Sequence, residues 1–148
     1  MTPDQIALVQ ATYDKIAPIQ VTAGALFYRR LFELNPELRQ LFHGDIMTQS
    51  RKLMEMIALV VENLSQFDRM LPRVQLLGRA HIGYGARAEH YDTVGAALVW
   101  AIRQGLEEQF TPADEQAWMA AYAMLADAMK ASAASAQLDD PEQVREPS

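Results

Sequence analysis

Small or apolar positions recur with a helical period along the chain. Ser50, Leu53, Met54, Ile57, Val60, Val61 and Leu64 follow the i, i+3, i+4, i+7 template, and Trp118, Tyr122, Leu125 and Met129 repeat it near the end. No stretch alternates with period two and β-branched residues do not cluster, so the pattern predicts an all-α fold. Start and stop signals divide it. Thr2-Pro3-Asp4-Gln5 reads as an N-cap, a first-turn proline and a capping-box glutamine. Pro18 interrupts that first helix, and a second is expected over positions 21–34. Asn35-Pro36 opens a short third helix ending near Phe42, and a loop at 43–45 precedes a long helix over 46–64. A further helix over 69–82 starts with Pro72 in its first turn and ends at Gly83 and Gly85. The last two are expected over 91–109 and, capped by Thr111-Pro112-Ala113-Asp114, up to 131.

Beyond 131 the apolar period stops. Positions 132–148 hold Ser, Ala, Asp, Glu and two prolines, with Leu138 and Val144 as the only large apolar residues. The expected organisation is one domain over 1–131 and a polar, flexible tail over 132–148.

Composition narrows the chemistry. The 148 residues suit one domain, and 13 Lys+Arg against 19 Asp+Glu give a net charge of −6, the wrong sign for a nucleic-acid binder. No cysteine is present, which removes disulfides, thiolate chemistry and cysteine-ligated metals. No apolar run reaches the length of a membrane span, and Met1-Thr2-Pro3-Asp4-Gln5 lacks the build of a signal peptide. The expectation is a cytoplasmic domain with no nucleic-acid or membrane partner.

Three histidines carry the imidazole options. His43 lies in a polar loop, and His90 precedes Tyr91 as a cap or surface residue. His81 shares the apolar register of Val74 and Leu77, in the last turn before the glycines. It is a core histidine, a helix-end cap, or an axial metal or haem ligand, with the Leu77 carbonyl as acceptor for its other nitrogen. Tyr28 shares a buried face with Gly24 and Leu31, so its hydroxyl needs a partner. Gly24 costs helix stability and suits a close helix crossing, with the small Ser50 as the opposing contact. Gln49 and Leu53 sit one turn apart on the long helix, and Phe42 reads as a core plug. Met47, Met54 and Met56 read as core residues.

Taken together, these residues resemble the globin family over positions 3–130. The specific pieces are Asn35-Pro36 with Phe42 six residues on, and Leu77-Gly78-Arg79-Ala80-His81 followed by Gly85 and His90-Tyr91-Asp92-Thr93-Val94-Gly95. They look like bacterial single-domain globins, of neuroglobin-like and thermophile type, and like the globin part of flavohaemoglobins. The resemblance implies a globin fold around haem b, with His81 on the iron and Tyr28, Gln49 and Leu53 on the ligand side. It brings Phe42, Leu77, Arg79, Tyr91 and Val94 to the cofactor, and by position Arg51, Lys52 and Arg79 toward its propionates. With glutamine at 49, a five-coordinate ferrous haem is implied. Tyr91 matches the tyrosine that flavohaemoglobins couple to the proximal histidine. Their glutamate is missing from Met129-Lys130-Ala131-Ser132-Ala133, which implies little peroxidase-like electron push.

The functional expectation is reversible binding of O2, with NO and CO as further ligands. Hydrogen bonds from Tyr28 and Gln49 would raise O2 affinity, each worth about 1.5–3 kcal/mol. The alternative is a nitric oxide dioxygenase turning NO and O2 into nitrate with an external reductase, since no flavin or nicotinamide module is in the sequence. A haem-based sensor and a haem-free helical bundle are weaker readings. A monomer or weak homodimer is expected.

Overall fold

Thr2 starts the first helix as the sequence demands: its hydroxyl accepts from the Gln5 amide while the Gln5 side chain accepts from the Thr2 amide. The computed structural model describes residues 1–42, 44–83 and 88–139, and within these the side chains of 1–42, 44–80 and 89–131. The described residues form six α-helices: α1 (Pro3–Ile16), α2 (Gln20–Leu34), α3 (Ile46–Glu62), α4 (Phe67–Gly83), α5 (Ala88–Leu106) and α6 (Pro112–Asp139). Among the described residues there is no strand, as the pattern predicts. Short 3₁₀ turns join the helices at Ala17–Ile19, Pro36–Leu41, Leu64–Gln66 and Glu107–Gln109.

Local chemistry sets most boundaries. The Asn35 side chain accepts from the Glu37 amide, opening Pro36–Leu41, and Asp45 caps α3 by accepting from the Met47 amide. Asn63 ends α3, its side-chain amide donating to the Leu59 carbonyl at 2.8 Å. Helix α5 starts at Ala88, ahead of the expected 91. It stops at Leu106, where Glu107 takes a left-handed φ of 53°. The largest difference is α6, which continues to Asp139 instead of ending near 131. The residues from Ala131 to Ala136 are alanine and serine only, and alanine is the strongest helix former, so the helix persists where its apolar period has ended.

The helices pack as crossed layers. Helix α2 crosses α5 and α3, while α6 receives α4 and α1. Small residues set two crossings. A Cβ on Gly24 would overlap Ser50 Oγ and lie 3.2 Å from Ser50 Cβ, which brings α2 and α3 together as expected. A Cβ on Gly78 would stand 2.5 Å from the Met129 carbonyl oxygen, so α4 and α6 meet backbone to backbone. The main core gathers Val9, Ile16, Met54, Val60, Val74, Ile102 and Trp118. A second cluster is built on Phe27, Tyr28, Leu31, Leu38, Ala97 and Ala101.

Candidate functional site

Tyr28 is the centre of the second cluster. Helix α2 buries it to 5% exposure. Phe27 and Phe42 meet its ring edge-on, with centroids 4.9 and 5.4 Å away, and Phe32 tilts against it at 6.0 Å. Edge contacts of this kind hold a ring in one orientation. Its hydroxyl donates to the main-chain carbonyl of Gln49 at 3.4 Å, well beyond the usual 2.7–2.8 Å for such a bond. Burial pushes the phenol up to about 12, so the hydroxyl keeps its proton at neutral pH.

Half-buried apolar side chains surround this phenol. Ile46 and Leu53 on α3, Val94 on α5, and Phe42 between α2 and α3 all pack on the Tyr28 cluster. Gln49, also half-buried, lies one turn before Leu53. The chain therefore brings Tyr28, Phe42, Gln49, Leu53 and Val94 together from four separate segments.

On the α4 side, Leu77 is half-buried against the main core, and Arg79 is exposed. His81 stands in the last turn of α4, at a register between Leu77 and Gly78, both on the packed side of the helix. Its imidazole lies outside the described side chains, as does the whole of His43. Tyr91 is half-buried, and the Tyr122 hydroxyl donates to its carbonyl at 2.6 Å. Lys130 lies over the Tyr91 ring at 5.8 Å, and burial raises both phenols above their ordinary range.

Some expectations are corrected. His90 is neither cap nor surface residue: α5 begins at Ala88 and buries it to 8%. Met47 is 71% exposed in the first turn of α3, whereas Met54 is buried. Arg51 and Lys52 are not among these corrections: like Arg79 they are exposed, as cations at a solvent edge would be, and Arg51 stands 3.9 Å from Glu55. Sequence reasoning missed Phe32 as part of the aromatic cage. The signal was available, since Phe32 is four residues from Tyr28 and so on the same helical face. The Tyr122 bond and the Lys130 contact were also missed, and they depend on how α6 lies on α5.

Comparisons with known proteins bear on this arrangement. Residues 25–129 match the family described as Globin. The flavohemoprotein of Bordetella parapertussis is 38% identical over 130 residues, which is 86% of this chain and 32% of that protein. The chain thus spans about a third of the length of the flavohemoproteins it matches. Neuroglobin of Tetraodon nigroviridis is 26% identical over 136 residues, covering 82% of this chain and 86% of that one. Among solved structures, an engineered carbene transferase derived from a Rhodothermus marinus protein assigned as a nitric oxide dioxygenase has a TM-score of 0.85 at 27% identity. That match covers 95% of this chain and 99% of the other.

Proposed function

The chain belongs to the globin family, and from that premise we propose that it holds a haem b against α3, α4 and α5 and binds O2 reversibly. The observation that carries this reading is the Tyr28 hydroxyl: buried, protonated at neutral pH, and tied to the Gln49 carbonyl only at 3.4 Å.

The donor chemistry fits the cofactor. Among the described residues no group of three His, Cys, Asp or Glu could hold a bare metal ion. A metal held by the His81 imidazole alone needs a macrocycle to supply its other donors. Leu53, Leu77, Val94 and Phe42, all half-buried, offer the apolar walls that a flat aromatic group would cover. Arg79, exposed on α4, is the proposed cation for a propionate at the solvent edge. When bound, the haem supplies an iron with one position left open to a diatomic ligand.

The residues divide the work. His81, in the last turn of α4, would hold the iron through its imidazole. Leu53 and Phe42 exclude water. Tyr28 turns its proton from the Gln49 carbonyl to the ligand, and the Gln49 amide is the second proposed donor. A polar ligand such as O2 gains more from these donors than CO does. The pocket therefore favours slow O2 release.

The likeness to flavohemoproteins and to the Rhodothermus marinus protein favours a second reading, nitric oxide dioxygenase activity. Its balance is one NO, one O2 and one electron giving one nitrate ion, so a separate reductase must supply the electron. The absorption spectrum of the reduced protein with and without O2 tests the first reading. A Soret band that O2 does not shift sinks it. Rapid mixing of the O2-equilibrated reduced protein with NO, followed by nitrate assay and re-reduction, tests the second.

A further inference from the structure

Helix α4 turns a cationic face outward in an acidic chain. The whole sequence carries −6, yet α4 holds Arg69, Arg73 and Arg79 against the single Asp68. At about 100° per residue, the three arginines fall within about 60° of Leu76 around the helix axis, and Asp68 stands at the margin of that sector. The opposite side is fixed inward, with Met70, Val74 and Gly78 buried. All three arginines are exposed, and Leu76 between them is 64% exposed. Elsewhere Arg30, Arg51, Arg103 and Lys130 each stand by a carboxylate. No arginine of α4 forms an ion pair among the described residues. Arg69, which donates to the Gln66 side-chain oxygen at 3.0 Å, and Arg73 have no carboxylate partner among the described residues and flank Leu76, while Arg79 is the cation proposed above for a propionate. An apolar residue rimmed by such cations suits a transient protein interface.

We propose that this face of α4 is the docking surface for an acidic electron-donor protein. The inference rests on the reading above, in which an external reductase supplies electrons. An acidic donor is repelled by the net charge of the chain and drawn to this sector, where three arginines share one face of a single helix, so the field both orients and accelerates the encounter. Helix α4 also carries His81, so a donor seated here lies against the helix of the proposed haem centre.

The test uses the full chain loaded with haem in the ferric state. The probe is plant-type [2Fe–2S] ferredoxin, a small acidic donor, reduced beforehand and freed of reductant. Two double variants carry the same charge change: Arg69→Glu with Arg73→Glu on α4, and Lys15→Glu with Arg29→Glu elsewhere. In the wild type, the second-order reduction rate falls as salt rises. The α4 variant loses about tenfold or more of that rate at low salt, and the control pair stays within about threefold of wild type. Ferredoxin affinity by calorimetry follows the same order, while thermal midpoints and reduction by dithionite are unchanged. Equal rates in all three proteins, or equal losses in both variants, overturn the docking surface and leave the reductase reading standing. A wild type that dithionite reduces but ferredoxin neither reduces nor binds overturns the docking surface for an acidic donor, whereas absence of nitrate in the NO-mixing assay overturns the reductase reading beneath it. Selective loss of binding to phosphatidylglycerol-containing vesicles or to duplex DNA in the α4 variant, without loss of ferredoxin reduction, assigns the face to that polyanion instead.

Discussion

The hydroxyl of Tyr28 donates to the main-chain carbonyl of Gln49 at 3.4 Å, tying the middle of α2 to the first turn of α3. Inside α3 that carbonyl is already one turn before the Leu53 amide, so the phenol is a second and weak partner for it. A bond this long is cheap to exchange. The aromatic cage fixes the ring, and the hydroxyl torsion alone decides where the proton points.

Removing the hydroxyl tests that exchange. Tyr28→Phe keeps the ring contacts and deletes one donor worth about 1.5–3 kcal/mol to a polar ligand, so O2 dissociation should accelerate by roughly tenfold to a hundredfold. CO dissociation should change by less than about threefold, because the less polar ligand gains less from the donor. Stopped-flow displacement of both ligands checks the split, and equal changes in the two rates would remove Tyr28 as a selective donor.

His81→Ala should abolish stable haem retention while leaving the helical content intact, since α4 stays anchored through Met70, Val74 and Gly78. Free imidazole added to the variant should restore the Soret band if the lost group is the axial ligand. A variant that keeps haem with an unchanged spectrum rules His81 out as the ligand.

Much of this arrangement is legible in the sequence, and the gaps share a cause. Thr2, Asn35 and Asp45 act through neighbours within a few residues, so their caps are readable from composition and spacing. Gly24 and Ser50 are readable as a crossing because both are small on otherwise apolar faces. Gly78 gives no such hint: its partner is the backbone of Met129, fifty-one positions away, with no side-chain signature. His90 and Met47 fail for a similar reason, since burial near a helix start depends on what crosses it. The run after Ala131 fails differently, because its apolar period ends while its alanine-driven helix propensity does not.

The glycines give a paired stability test. Gly78→Ala gains up to about 1 kcal/mol of helix propensity but forces a Cβ onto the Met129 backbone, and such overpacking costs about 1–3 kcal/mol. Backbone cannot rotate away, so a net loss is expected, with weaker haem retention because His81 follows three residues later. Gly105→Ala meets only the end of the Ile19 side chain at 3.0 Å and should be neutral or stabilising. Thermal melts of the two variants should move apart, and a Gly78→Ala midpoint at or above wild type refutes the close α4–α6 contact.

Alkaline titration reports the buried phenols. Tyr28, raised to about 12 by burial, and Tyr122, raised further by burial with Tyr91 and Asp92 adding to it, hold their protons more tightly folded than unfolded. Their contribution is complete below the unfolded value of about 10 and is lost as pH rises through the folded values, at about 1.4 kcal/mol per pH unit for each phenol. Denaturant midpoints should therefore fall steeply above about pH 10, and phenolate absorbance from these two should rise only as the chain unfolds. O2 dissociation should stay flat from neutral pH to about pH 10, because the Tyr28 donor remains protonated over that range. A Tyr28→Phe variant should lose its share of the alkaline stability slope. If its slope matches wild type, the phenol is not the group being titrated.

Truncation locates the end of the folded domain, proposed as 1–131. Met129 packs against Gly78 and Lys130 covers the Tyr91 ring, and both precede that boundary. A chain ending at 131 removes the alanine-rich turns of α6 but keeps these contacts. Its haem spectrum and O2 dissociation rate should match wild type, with the thermal midpoint lowered by no more than a few degrees. A chain ending at 127 loses both contacts, and its midpoint should fall by far more, since deleting a buried methionine side chain alone costs about 2–5 kcal/mol. If the chain ending at 131 already loses haem, residues 132–139 of α6 pack on the fold, and the domain extends to the end of that helix.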